Sequence, residues 1–318
     1  MMVSREYSQA RNPPIASVLI PTFGNARFAR WAIESVQRQT MKDIEIFIIC
    51  DGSPPQMVSF FKNMATEDSR IMVYSFPKAA RAGEPYRDMI IKKEARGRHI
   101  FYCSHDDIWF SNHIEVLSSL LRHKSFVHSI HVAVKEDGLH EGVFIRYVVN
   151  ADIALAEYRN KMQNVTVPRN FFGLTYGAHT REAYLQLNEG WATTPRGIPT
   201  DLYMWRKFLA RFPLGCATCK KVTALHFPVG FRNEWPESEQ KREEELLFYF
   251  NHIQAPGFIE KVNEIAIRTL SAQEQKGNCF SPCGFRYRKL RRRLQVFWAQ
   301  LKTKAMKIMR TGFKNKNL

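Results

Sequence analysis

Apolar and polar positions come in alternating blocks through the first third of the chain. Ala16-Ser17-Val18-Leu19-Ile20 is a short apolar run halted by Pro21-Thr22, which predicts a first strand. After a turn at Gly24-Asn25, Phe28, Ala32 or Ile33, and Val36 recur at helical spacing to about Gln39. Ile44 to Cys50 predicts a second strand, closed by Asp51-Gly52-Ser53-Pro54. Val58, Phe61 and Met64 suit a helix, Ile71 to Phe76 a third strand, Glu84 to Ala95 a helix, and His99 to Cys103 a fourth strand. Strands with no polar face, alternating with helices, predict an α/β fold with a mainly parallel sheet flanked by helices.

The second half is less regular. Phe126 to Val134 alternates and predicts a strand, paired with Val143 to Val149 through the Glu136-Asp137-Gly138 turn region. An irregular segment, Pro168 to Gly177, leads into a helix through His179-Thr180-Arg181-Glu182-Ala183, and Gly190-Trp191 ends it. Asp201 follows Pro199 at or near a helix start, where an ordinary cap is the plain alternative. Ala224 to Pro228 predicts a short strand carrying His226, and Glu234 to Phe250 and Phe258 to Leu270 predict helices.

Composition changes the picture mainly at the end of the chain. The 318 residues carry a formal charge of +17, and twelve basic residues without one Asp or Glu follow Gly284. Ser271 to Gly284 reads as a linker. Beyond it Leu290, Leu294, Phe297, Leu301, Ala305 and Ile308 form a helical stripe opposite Lys and Arg. That pattern predicts an amphipathic helix over 285–311 lying on an anionic membrane surface, with a packed helix or a nucleic-acid tail as alternatives. No nucleic-acid partner is expected. No apolar run reaches the ~18 residues of a membrane span. Residues 1–14 lack the apolar segment of a secretory signal and are expected to be disordered. Six cysteines in a chain this long do not suggest a disulfide scaffold. Cys216 and Cys219 lie far from Cys279 and Cys283 for a shared zinc site. The expected place is the cytoplasm, peripheral on the inner face of the cytoplasmic membrane.

Three strand ends carry polar punctuation: Pro21-Thr22-Phe23, Asp51-Gly52-Ser53, and Ser104-His105-Asp106-Asp107. In a parallel sheet all three line one crevice, the edge at which such sheets bind ligands. Backbone N–H groups near Thr22 suit a phosphate or a base, and Asp51 suits a nucleobase imide or a ribose hydroxyl. Asp106 and Asp107 offer hard oxygen ligands for Mg²⁺ or Mn²⁺ beside a phosphate, or else simply start the next helix.

These motifs together resemble the family 2 glycosyltransferases of GT-A fold, from Ala16 to about Phe227. The family's Pro-Thr-Tyr-Asn is matched by Pro21-Thr22-Phe23-Gly24, and its Asp-Asp-Gly-Ser by Cys50-Asp51-Gly52-Ser53. Its Asp-x-Asp-Asp-x-Trp is matched by Ser104-His105-Asp106-Asp107-Ile108-Trp109. Ser104 and Cys50 replace carboxylates of the pattern. The resemblance implies a Rossmann-like GT-A domain over 15–230, with a nucleotide-sugar-binding half (15–125) and an acceptor-binding half (126–230). A helical extension (231–273) and a linker with the tail helix (274–318) follow. It implies an inverting transfer of sugar from a nucleotide-diphosphate-sugar, a UDP-sugar in the first instance, to a hydroxyl of a glycan or lipid-linked acceptor. By the same resemblance Pro21, Thr22, Phe23, Asp51, Arg87, Ser104, His105 and Asp106 line the donor site. Asp106 is the main ligand of Mg²⁺ or Mn²⁺, with Asp107 and His226 as further candidates, and Asp201 is the general base. Trp191 and Trp205 are candidates to stack on the acceptor. Two other readings remain: a non-catalytic carbohydrate- or nucleic-acid-binding protein, and a nucleotidyltransferase. The latter is disfavoured because no Gly-rich, basic loop follows the first strand.

Overall fold

The chain builds a seven-stranded sheet from its apolar runs. In sequence order the elements are β1 (Ala16–Thr22), α1 (Ala29–Gln37), β2 (Ile44–Asp51), α2 (Pro55–Glu67), β3 (Ile71–Phe76), α3 (Glu84–Lys93) and β4 (His99–Tyr102). There follow β5 (Ile108–Trp109), α4 (His113–Leu121), β6 (Phe126–Ser129), β7 (His131–Val134), β8 (Ile145–Val149) and α5 (Ala156–Gln163). The last are β9 (Gly177–Thr180), α6 (Arg181–Leu185), α7 (Thr200–Arg211), β10 (Cys216–Cys219), β11 (Ala224–Leu225), α8 (Glu239–His252) and α9 (Phe258–Gln275). This computed structural model describes residues 12–275, apart from 25, 137, 140, 141, 143 and 232–237. Residues 1–11, the start of the predicted Glu234 helix, Cys279, Cys283, the end of the linker and the predicted membrane-surface helix at 285–311 lie outside the described residues.

The sheet order is β3-β2-β1-β4-β9-β6-β10. All neighbours are parallel except at β9, which runs antiparallel to both β4 and β6. Every residue of β2 is buried, as its unbroken apolar run requires of a strand covered on both faces. Pro21 is tolerated inside β1 because the ladder to β4 ends at Leu19↔Tyr102, leaving no partner there for an N–H. A second, two-stranded sheet pairs β7 with β8, and β5 pairs with β11. Among the described residues, helices α8 and α9 pack back on this domain: Trp31 meets Phe250, Phe227 meets Tyr249, and Asn263 bonds the backbone of Val222.

Two expectations need correction, and the open question of a zinc site narrows. The predicted strand Phe126–Val134 is two strands in different sheets, because the chain leaves the main sheet at Ile130. The run around Gly177–Thr180 is not a loop entering a helix but the central reversed strand. Cys216 and Cys219 lie on a strand, where residues three apart point to opposite faces and do not form one ligand pair.

The topology sets the place of the chemistry. β1, β2 and β4 are parallel, so Thr22, Asp51 and the turn after Tyr102 share one edge. Because β9 is reversed, its beginning lies at that same edge, and the short 3₁₀ turn before it, Leu174–Tyr176, arrives beside the end of β4.

Candidate active site

One side of the candidate site is built from the ends of β1 and β2. Their register sets Thr22 against Cys50. The Thr22 hydroxyl is buried beside the Cys50 thiol, as is that of Ser53, and among the described residues neither hydroxyl has another hydrogen-bond partner. Burial holds the Cys50 thiol above its usual pKa, so it stays neutral. Asp51 is buried, and its two oxygens accept from the Ala79 N–H (2.6 Å) and from Lys78 Nζ (2.5 Å). Gly83, at φ +71°, passes 3.2 Å from Asp51 Cβ at the position a Cβ would occupy, so only glycine fits that approach. Arg87, one turn into α3, is fully buried. Its guanidinium lies over the Trp191 ring (4.1 Å), donates to the Ala82 carbonyl (2.9 Å) and leaves Nε without a partner. Phe23 is half exposed at the mouth, edge-on to His105 (5.3 Å), which in turn lies against Phe28.

The turn after β4 separates its two carboxylates. Asp107 points inward and is buried. Its Oδ2 accepts from the Thr175 hydroxyl, and its Oδ1 accepts from His226 Nδ1 (2.8 Å) and the Phe227 N–H (3.2 Å). These partners, with His226 the leading favourable one, outweigh burial and keep its pKa below the ordinary carboxylate value. Both oxygens of Asp107 are thus occupied by hydrogen bonds that align His226 and Thr175, which leaves Asp106 the more open of the two carboxylates. Thr175 also accepts from the Ser104 N–H (3.1 Å), tying the two sides of the edge together. Asp106 is partly exposed, and among the described residues none hydrogen-bonds to its carboxylate.

Asp201 sits in the first turn of α7, after Pro199. Burial raises its pKa, opposed by the Asn170 amide, the Leu202 N–H (3.0 Å) and the charge of Arg87. Its Oδ2 comes within 3.8 Å of the position a Cβ on Gly173 would occupy. Two residues later Thr175 bonds Asp107 and receives from Ser104. Two residues of chain reach at most about 7 Å, so Asp201 and the Asp106-Asp107 turn flank the same end of the sheet. Arg87 acts electrostatically on Asp201, which relates the N-terminal end of α7 to the side built by β1 and β2.

Trp191 and Trp205 are not open platforms, which corrects the acceptor-stacking expectation. Trp191 is buried under Arg87 and donates to the Tyr102 hydroxyl (2.8 Å). Trp205 is fully buried against Gly177 and Phe126 and braces α7 from beneath. Thr175 and Lys78 were not visible from sequence as site residues; a lone Thr and a lone Lys in loops carry no periodic or motif signal.

The donor set suits a hard divalent cation. Asp106 offers an uncommitted carboxylate, and a histidine whose other ring nitrogen is held by a carboxylate is the usual form of a metal-binding imidazole. No cluster of three such ligands exists among the described residues.

Comparison with known proteins bears on the same residues. A family model described as Glycosyl transferase family 2 matches residues 17–179, just over half of the chain. An uncharacterized glycosyltransferase of Rickettsia prowazekii is 30% identical over 102 residues, covering 32% of this chain and 30% of that protein. The GalNAc(5)-diNAcBac-PP-undecaprenol beta-1,3-glucosyltransferase of Campylobacter jejuni is 36% identical over 61 residues, 19% of this chain and 20% of that protein. The first five such relatives are matched over only 17% to 30% of their own lengths. Among solved structures, S. aureus TarS 1–349 superposes with a TM-score of 0.52 at 13% identity, covering 76% of this chain and 74% of TarS. Its complex with UDP-GlcNAc gives a TM-score of 0.52 at 13% identity, over 75% of this chain and 66% of that one. At that identity the likeness establishes the GT-A fold.

Proposed function

Because the chain belongs to glycosyl transferase family 2, we propose that it moves a sugar from a nucleotide-diphosphate-sugar, UDP-sugar first among them, to a hydroxyl of a glycan or lipid-linked acceptor, with inversion. One observation carries the reading: the uncommitted Asp106 and the part-buried Asp201 flank one sheet end, linked through Gly173–Thr175. The undecaprenol-linked substrate in the name of the Campylobacter relative supports a lipid-linked acceptor. The basic stripe at 285–311 supports a membrane-surface location.

In this reading Thr22 and Asp51 bound the nucleoside pocket and Arg87 faces the diphosphate. Asp106 and His226 would hold Mg²⁺ or Mn²⁺, which would supply charge neutralisation on the leaving diphosphate. Asp107 keeps the His226 ring in place. The acceptor oxygen attacks the anomeric carbon from the face opposite the diphosphate. The new C–O bond forms as the sugar–phosphate bond breaks, and Asp201 takes the hydroxyl proton. A carboxylate base opposite the leaving group gives a single displacement, hence inversion.

The test is turnover of UDP- and GDP-sugars with Mn²⁺ by the full chain. Asp106→Ala and Asp201→Asn each abolish transfer, by roughly 10²–10⁴-fold for the base, while Asp201→Asn still binds donor. Near-normal turnover by Asp201→Asn overturns the assignment. Donor hydrolysis without acceptor separates an enzyme from a mere binder.

A further inference from the structure

Lys78 pairs with Asp51 where the donor base is placed above, and Lys78 itself has no part in that reading. Lys78 follows β3 in the loop that leads to α3. Its Nζ donates to Asp51 Oδ2 (2.5 Å), to the Arg81 carbonyl (2.6 Å) and to the Ala79 carbonyl (3.2 Å). An ammonium has three hydrogens, so this geometry places all of them on acceptors. Asp51 is 3% exposed, its other oxygen accepts from the Ala79 N–H, and Gly83 closes over it. The pair is therefore built into the fold rather than being a loose surface contact, although half of the Lys78 side chain faces solvent.

An ionised carboxylate without a counter-charge is purely an acceptor. Beside a base it favours uracil and guanine, whose ring N3 or N1 carries a hydrogen. It repels cytosine and adenine, whose corresponding nitrogens carry a lone pair. That repulsion is the part of selectivity that rejects the wrong partner. A carboxylate already paired to an ammonium and an amide N–H has lost much of its field and half of its acceptor capacity. Cys50, neutral and adjacent in the register, adds no second acceptor charge.

We propose that Lys78 is a specificity-determining residue: by neutralising Asp51 it lets the donor pocket admit nucleoside diphosphates with and without an imide hydrogen. This rests on the donor-site reading given above. The experiment is calorimetric titration of the full chain with UDP, GDP, CDP and ADP in the presence of Mn²⁺, repeated with Lys78→Met and Lys78→Gln. The wild-type protein binds the four within about tenfold of one another. Both variants weaken CDP and ADP relative to UDP and GDP by about tenfold or more. Lys78 is half exposed and in a loop, and two variants guard against one that folds poorly. An unchanged ratio in the folded variants, or a wild-type preference for UDP and GDP as strong as theirs, overturns the proposal and leaves the donor site standing. Failure of all four diphosphates to bind the wild-type chain removes the donor-site reading, and the proposal with it.

Discussion

Asp107 and His226, 119 residues apart in sequence, meet through a 2.8 Å hydrogen bond from the ring Nδ1 to Oδ1 at the end of the sheet. The same carboxylate holds Thr175 and the Phe227 N–H, so three chain segments converge on one buried charge. A carboxylate that fixes a metal-binding imidazole typically changes metal affinity 10- to 100-fold when lost. Asp107→Asn, which keeps the shape and removes the charge, is expected to raise the Mn²⁺ concentration for half-maximal donor turnover by roughly 10–100-fold. An unaltered Mn²⁺ dependence in the folded variant would detach Asp107 from the cation.

Five buried histidines give the fold an acid limit. Burial, the leading cause in each, lowers the pKa to about 4 for His99 and His128 and to about 3 for His113, His131 and His179. Unfolded, each titrates near 6.5. Below that pH the unfolded chain binds protons that the folded chain refuses. Stability is therefore intact above about pH 6.5 and falls as pH drops, by up to about 1.4 kcal/mol per pH unit for each histidine. Unfolding at pH 5 should take up nearly five protons through these groups, read from unfolding enthalpies in buffers of different ionisation heat. The lowered Asp107 pKa acts in a lower window. Its contribution is present above the unfolded carboxylate value and lost only as pH falls through the folded one.

Arg87 and Asp201 are coupled by charge, and the coupling has a sign. Arg87 lowers the Asp201 pKa against the larger, opposing effect of burial. Arg87→Met should move the acid limb of the pH–rate profile upward, because the base must then be freed of its proton at higher pH. It should also weaken donor binding. A limb that stays in place in a variant with measurable turnover would place the titrating group elsewhere.

The first four strands are legible because each is an uninterrupted apolar run, and a strand covered on both faces needs nothing else. That Asp106 and Asp201 fall at one end of the sheet is legible through motif order; the roles given to them are proposals. β9 is not legible, since Gly177-Ala178-His179-Thr180 has no apolar run to announce it. What places it is backbone pairing on both sides and the close seat of Gly177 on the Trp205 ring, neither of which is local in sequence. Thr175 is hidden for the same reason: its role comes from a bond to a residue 68 positions away. The long alternation from Phe126 to Val134 misleads because periodicity reports strand, not which sheet the strand joins.

That seat of Gly177 is testable. A Cβ there would come within 2.7 Å of the Trp205 ring, which is fully buried and has nowhere to move. Gly177→Ala should cost about 1–3 kcal/mol in chemical denaturation, the usual penalty of overpacking. It should also lower turnover, because Trp205 supports the helix that carries Asp201. Full stability in the variant would mean that the ring is less confined than its surroundings suggest.

The reversed strand also bears on how the chain is made. Until residue 180 has left the ribosome, β4 and the later β6 each present a bare hydrogen-bonding rim to their surroundings, and one four-residue segment seals both at once. A nascent or truncated product that stops short of Thr180 is a sticky species, and shielding by a chaperone matters most in that interval of synthesis.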